Sequence, residues 1–91
     1  MTLQSNEFDL RGSWDSGQPD VICRRIERLI SGHLEKIGAD ASGWDTLFRD
    51  PNDKRLWELT YPESHLHGGG PSRLTVIPAE LAKRKYNSLR D

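Results

Sequence analysis

With 91 residues, 34% hydrophobic and 30% charged, the chain can fill one modest core but has no material for a second. A net charge of −1 gives no global attraction to nucleic acid or an anionic membrane, and a single cysteine excludes an intramolecular disulfide. Residues 1–9 lack the basic start and apolar run of a signal peptide, and no later stretch reaches membrane-spanning length; the expectation is one cytoplasmic domain over 1–91 with a loose start at 1–9.

The first strand pattern runs from Leu10 to Trp14 and is closed by an Asp15-Ser16-Gly17 turn. From Pro19 to Ser31 the apolar residues Ile22, Cys23, Ile26, Leu29 and Ile30 recur three and four apart, which places them on one helix face, with Arg24, Arg25, Glu27 and Arg28 on the other. Asp20 suits the N-terminal cap, and Gly32 a left-handed C-terminal stop. Cys23 sits on the apolar face, where a thiol acts as a small hydrophobe.

After Gly32 the period becomes two. Leu34, Lys36 and Gly38 alternate with Glu35, Ile37 and Ala39, then Asp40-Ala41-Ser42-Gly43 reads as a turn. Trp44, Thr46 and Phe48 alternate with Asp45, Leu47 and Arg49, and Asp50-Pro51-Asn52-Asp53 has the chemistry of a type I turn. The hairpin partner, Arg55 to Tyr61, puts Trp57, Leu59 and Tyr61 on the face that should cover the helix, and Leu56, Glu58 and Thr60 on the other. Alternation makes Trp44, Trp57 and Tyr61 core residues. Arg73 to Ile77 is the last strand, Pro78 suits the first position of a helix, and Ala79, Ala82, Tyr86 and Leu89 line up at helical spacing. The fold class is therefore α+β: a small antiparallel sheet of about four strands against an N-terminal helix, with a short C-terminal helix.

Between the last two strands lies the run His65-Leu66-His67-Gly68-Gly69-Gly70-Pro71. Three glycines in a row cost conformational entropy, so the run marks a demanding turn or a contact surface. His65 and His67 share the same-side spacing of a strand but supply only two metal ligands, short of the three or four a zinc site needs. The glycines resemble an esterase oxyanion loop without its Gly-x-Ser-x-Gly elbow, and a phosphate loop without its lysine. No cofactor or metal is expected. Charge is uneven: from Gly38 to Leu66, Asp40, Asp45, Asp50, Asp53, Glu58 and Glu63 outweigh Arg49, Lys54 and Arg55 by three. That excess is either an ordinary solvated sheet or an acidic surface that recognises a basic partner.

The segments Arg25-Ile26, Leu29-Ile30, Ser42-Gly43-Trp44, Leu47-Phe48-Arg49-Asp50-Pro51, Trp57-Glu58-Leu59-Thr60-Tyr61-Pro62 and His67-Gly68-Gly69-Gly70-Pro71, with Leu74 and Lys85-Tyr86, resemble bacterial polymorphic-toxin immunity proteins of family 27. The resemblance covers most of the chain. It implies a non-enzymatic protein, encoded beside a toxin, that binds the toxin's catalytic domain and protects the producing cell and its kin. With a nuclease or another toxin whose cleft is basic, acids of this chain would take the place of substrate phosphates. The contacts expected on that basis are Asp45, Asp50, Asp53, Glu58, Glu63, His65 and His67, with Gly68, Gly69 and Gly70 letting backbone approach the partner. Two readings from other classes stand beside it: a peptide- or protein-binding module that adds a strand to a sheet edge, and a small hydrolase or metalloenzyme built on the histidines and nearby acids.

Overall fold

The computed structural model describes residues 3–15, 17–63 and 70–86, with the side chain of Asp15 left aside. His65, His67, Gly68, Gly69 and Leu89 lie outside the described residues.

Helix α1 (Val21–Gly32) forms where the three-to-four periodicity predicts it, with Cys23, Ile26 and Leu29 buried. Asp20 is its N-cap: the Cys23 N–H donates to Oδ1 at 2.9 Å and the Ser13 hydroxyl to Oδ2 at 2.7 Å. Those two bonds, the Cys23 amide first, hold the Asp20 carboxyl down at about 2. The helix ends differently from expectation. Gly32 stays inside the helix and is not left-handed; His33 is the C-cap at φ −124°. The N–H groups of His33 and Leu34 both donate to the Leu29 carbonyl (3.0 and 2.8 Å), so the final turn closes without a positive φ.

A five-stranded antiparallel sheet follows the order β1-β7-β6-β5-β4. Strands β4 (Glu35–Ala39), β5 (Thr46–Arg49), β6 (Leu56–Thr60) and β7 (Arg73–Val76) form a meander, and β1 (Asp9–Arg11) closes the far edge by pairing Leu10 with Leu74. The expected Leu10–Trp14 strand is instead divided. Gly12 leaves the sheet, its N–H donating to the Ser72 carbonyl at 2.9 Å, and β2 (Trp14–Asp15) pairs with β3 (Gln18–Pro19) in a separate two-stranded ribbon. A side chain at Gly12 would collide with the Cys23 sulfur and the Ser72 carbonyl, so this crossing is open only to glycine. Strict alternation in β4 also fails: Lys36 pairs with Phe48 but Gly38 with Leu47, so a bulge at Ile37 reverses which residues face each side.

Period two buries both faces, so two small cores form where length and composition alone predict one. Under α1 lie Leu10, Leu74, Trp57, Leu59 and Phe48 with Ile26 and Leu29, as the pattern of β6 predicts. The opposite face carries Leu47, Ile77, Ala82 and Tyr86, with Ile37 and Leu56 beside them, and is covered by α2 (Ala79–Lys85). Pro78 is the N-cap of α2, one place earlier than predicted. Each large side chain removed from water in these layers contributes about 1.5–3 kcal/mol. Among the described residues no helix is long and apolar enough to cross a membrane.

Residues 3–9, read as loose from sequence, are fastened to the domain. Leu3 is buried in the core under α1, and the Arg55 guanidinium donates to the Glu7 and Gln4 carbonyls at 2.6 and 3.1 Å. Glu7 itself takes two bonds from Arg25, one of 2.7 Å, and accepts the Gln4 N–H at 2.8 Å. The Arg25 guanidinium, then the Gln4 amide, hold the Glu7 carboxyl at about 2, against an ordinary value of 4.5. A depressed carboxyl stabilises the fold fully above its unfolded pKa and loses that contribution as pH falls. Denaturant midpoints measured from pH 6 down to pH 2 are therefore expected to fall less steeply below pH 4.5 in Glu7→Gln than in the unaltered protein.

Candidate functional site

The acids singled out by sequence do not form one surface. Asp50 is 1% exposed and builds the β5–β6 turn: its Oδ1 accepts the Asn52 N–H at 2.8 Å and lies 3.2 Å from His33 Nε2. The predicted four-residue turn is one residue longer, closed by the Lys54 N–H onto the Asp50 carbonyl at 2.8 Å with Lys54 at φ 69°. Asp53, at the same end, pairs with Arg55 Nε at 2.6 Å. Asp45 and Glu63 stand at the other end of the sheet, where the 40–45 turn and the residues after β6 meet. Among the described residues no cluster of three or more His, Cys, Asp or Glu is placed to hold a metal ion.

Glu58 lies on the α2 face, 7% exposed. The Tyr86 hydroxyl donates to Glu58 Oε2 at 2.7 Å, and Lys85 Nζ bridges Glu58 (2.6 Å) and Asp45 (2.7 Å). Burial lowers the Lys85 pKa, but its bonds to Asp45 and Glu58 outweigh burial and leave it raised. Burial, then the bond to Glu58, pushes the Tyr86 hydroxyl far above its ordinary value. This network clamps α2 to β5 and β6. Asp40, uncounted among the expected contacts, holds its turn through Ser42 Oγ (2.7 Å) and the Gly43 N–H (3.1 Å).

The end of the sheet that carries Asp45 and Glu63 is aromatic. Trp44, read as core, is 55% exposed: it precedes β5, which begins at Thr46, and so stands outside the paired strand. Its ring meets Tyr61 edge-on, centroids 6.0 Å apart. Tyr61 in turn lines a cleft of about 200 Å³ between α1 and the sheet, together with Trp14, Cys23, Ile26, Glu27, Ile30 and Leu59. Burial, then the charge of Glu27, raises the Tyr61 hydroxyl pKa. Trp14 is 39% exposed at the cleft wall.

Gly70 completes the mouth, at φ 72°, with Glu63 pressed against it: a Cβ there would stand 2.5 Å from the Glu63 carbonyl oxygen. Of the expected glycine contacts, Gly70 is the one within the described residues. Gly70→Ala combines a left-handed cost of about 1–2 kcal/mol with that collision. Urea denaturation is expected to show a loss of at least that size, whereas Gly43→Ala, left-handed but with nothing within 4 Å, loses less.

Trp14, Glu27 and the exposure of Trp44 were not anticipated. A signal was present for the tryptophans: both are flanked by turn formers, Ser13 and Asp15 or Gly43 and Asp45, too close to strand ends for cover from a helix layer. Glu27 reads as one more solvated charge on α1, and only the folded cleft distinguishes it.

No curated protein and no solved structure matches the chain. A family model, described as immunity protein 27, matches residues 15–78, from the β2–β3 ribbon through α1 and the four-strand meander to the start of α2. With well over half its length matched, and with the Trp57–Pro62 strand end and Gly70 placed beside an exposed aromatic surface, this chain belongs to the immunity protein 27 family.

Proposed function

We propose that this protein binds the catalytic domain of a cognate bacterial toxin and neutralises it by covering the active site, protecting the producing cell and its kin. Family membership supports the immunity function and a non-enzymatic role. The observation that carries the choice of surface is the aromatic end of the sheet: Trp44 and Trp14 are 55% and 39% exposed, and Tyr61 joins Trp44 to the cleft. Tryptophan and tyrosine dominate the energetically decisive centres of protein interfaces, and an exposed aromatic group otherwise costs solvation.

Asp45, Glu63 and Gly70 stand at this end, and His65, His67, Gly68 and Gly69 fall in sequence between Glu63 and Gly70. These are the contacts of the proposed interface. Asp50 and Glu58 support it from within, and Asp53 belongs to the opposite end. Carboxylates beside aromatic rings suit a basic toxin cleft, such as that of a nuclease, and place this protein where the substrate's phosphates would lie. Strand addition at the β4 edge of the sheet is disfavoured, because β4 carries a bulge and the exposed charges of Glu35 and Lys36.

Co-expression with the toxin domain encoded beside the gene tests the proposal. Growth is expected to be restored and the two proteins to purify together. Continued toxicity, or separation of two folded proteins on a sizing column, overturns it.

A further inference from the structure

We infer that the cleft between α1 and the sheet receives one arginine side chain of the toxin domain, with Glu27 as its counter-ion and Trp14 and Tyr61 as its walls. The inference rests on the proposed toxin-binding function and names the chemistry of the partner residue at its centre.

Size argues first. About 200 Å³ is room for on the order of six or seven waters. Small-molecule sites run to about 300–1,000 Å³. The cleft is therefore on the scale of one long side chain and too small for a typical substrate.

Charge argues second. Five carboxylates elsewhere in the fold are paired with a lysine or arginine: Glu7 with Arg25, Asp9 with Arg73, Asp53 with Arg55, Asp45 and Glu58 with Lys85; of the described acids without such a pair, Glu27 is the one that lines the cleft. Glu27 projects from the same stripe of α1 as Cys23 and Ile30, and among the described residues no cation lies within 4 Å of its carboxylate. Its charge is felt at Tyr61 across the cleft. An acid in a cleft lined mainly by apolar and aromatic residues, with Gly70 and Ser72 beside them, favours a cation over an apolar side chain.

The walls select arginine among cations. A guanidinium is planar and weakly hydrated, so it can stack on an indole or phenol face while donating two parallel bonds to a carboxylate. A lysine ammonium would keep more of its hydration and could not make the bidentate pair. The two demands, a flat apolar contact and a carboxylate beside it, are met together by arginine alone.

The test is a calorimetric titration of the neighbouring toxin domain into the unaltered protein, Glu27→Gln and Trp14→Ala, repeated with toxin variants in which each surface arginine or lysine is replaced by alanine. Glu27 is exposed and its carboxylate bonds nothing described, so Glu27→Gln should keep its circular dichroism and Tm. It is expected to bind about tenfold more weakly, with reduced salt dependence. One toxin Arg→Ala variant should lose as much and show no further loss against Glu27→Gln. Binding by Glu27→Gln within twofold of the unaltered protein overturns the inference. So does coupling of Glu27 to a toxin lysine, or a loss confined to Trp14→Ala, which would identify an apolar occupant. If the unaltered protein fails to bind the toxin at all, the proposed function itself is overturned, an outcome distinct from these.

Discussion

Trp57→Ala is expected to cost about 3–5 kcal/mol, the range for emptying a buried aromatic site. A domain of this length has on the order of 5–14 kcal/mol in total, so one substitution removes a large share of it. Trp57 is fully buried in the central strand of the sheet, opposite Phe48 on one side and Val76 on the other. Its ring fills the layer under α1, and the Arg55 guanidinium sits 5.1 Å from its centroid while reaching the Gln4 and Glu7 carbonyls. Emptying the site therefore unsettles both the helix layer and the fastening of residues 3–9. Thermal unfolding should show Tm lowered by about 15 °C or more. Trp57→Phe is the control: the indole N–H has no hydrogen-bond partner among the described residues, so phenylalanine loses volume without losing a bond. A Phe variant as unstable as Ala would show that shape, and not burial, dominates there.

Glu58→Ala comes next, at about 2–4 kcal/mol. It leaves the buried Tyr86 hydroxyl without an acceptor, which alone costs about 1–3 kcal/mol. Lys85 keeps Asp45 and remains partly solvated, so its share of the loss is smaller. Tyr86→Phe removes the donor instead and should cost about 1–2 kcal/mol, since Glu58 retains Lys85. Joining Tyr86→Phe to a Glu58→Leu change leaves no orphaned hydroxyl and should recover part of the loss, which a double-mutant cycle in urea reads directly. The pH dependence has a definite sign. A hydroxyl raised above its ordinary value of 10.0 contributes fully below that pH, and its contribution is lost as pH rises through and beyond it. The alkaline fall in stability should therefore be shallower in Tyr86→Phe.

Much of the architecture is legible in apolar spacing. Helix α1, the β5–β6 hairpin and the Trp57-Leu59-Tyr61 face follow from periods of 3.6 and two, and Asp20 is recognisable as a cap because an acid precedes the first apolar repeat. The first strand pattern, Leu10 to Trp14, marks a strand, but with a single apolar residue, Leu10, between Asp9 and Arg11 it does not show that the sheet strand stops at Arg11 and that Trp14 pairs elsewhere. The bulge at Ile37 is invisible for a similar reason: alternation states which residues should share a face but not where a partner strand slips. The candidate site was harder to read. Asp50, Glu58 and Glu27 are all acids in or beside regular elements, yet the first builds a turn, the second anchors a helix, and the third faces a cleft. Only the contacts made by other elements separate them. Trp44 shows the same limit, since alternation extends the strand to it while β5 begins only at Thr46 and leaves it exposed against Tyr61.

The pairing of β1 with β7 joins residues 64 positions apart, as in the Arg73–Asp9 bonds. Strand-to-strand contacts of that span are the slowest to form, because a long loop must be closed before they return any energy. During synthesis the meander can add strands in order, but β1 has no partner strand until Arg73–Val76 has left the ribosome. For this member of an immunity protein family, the interval between starting a chain and completing the five-stranded sheet cannot be shorter than the time taken to make its last strand.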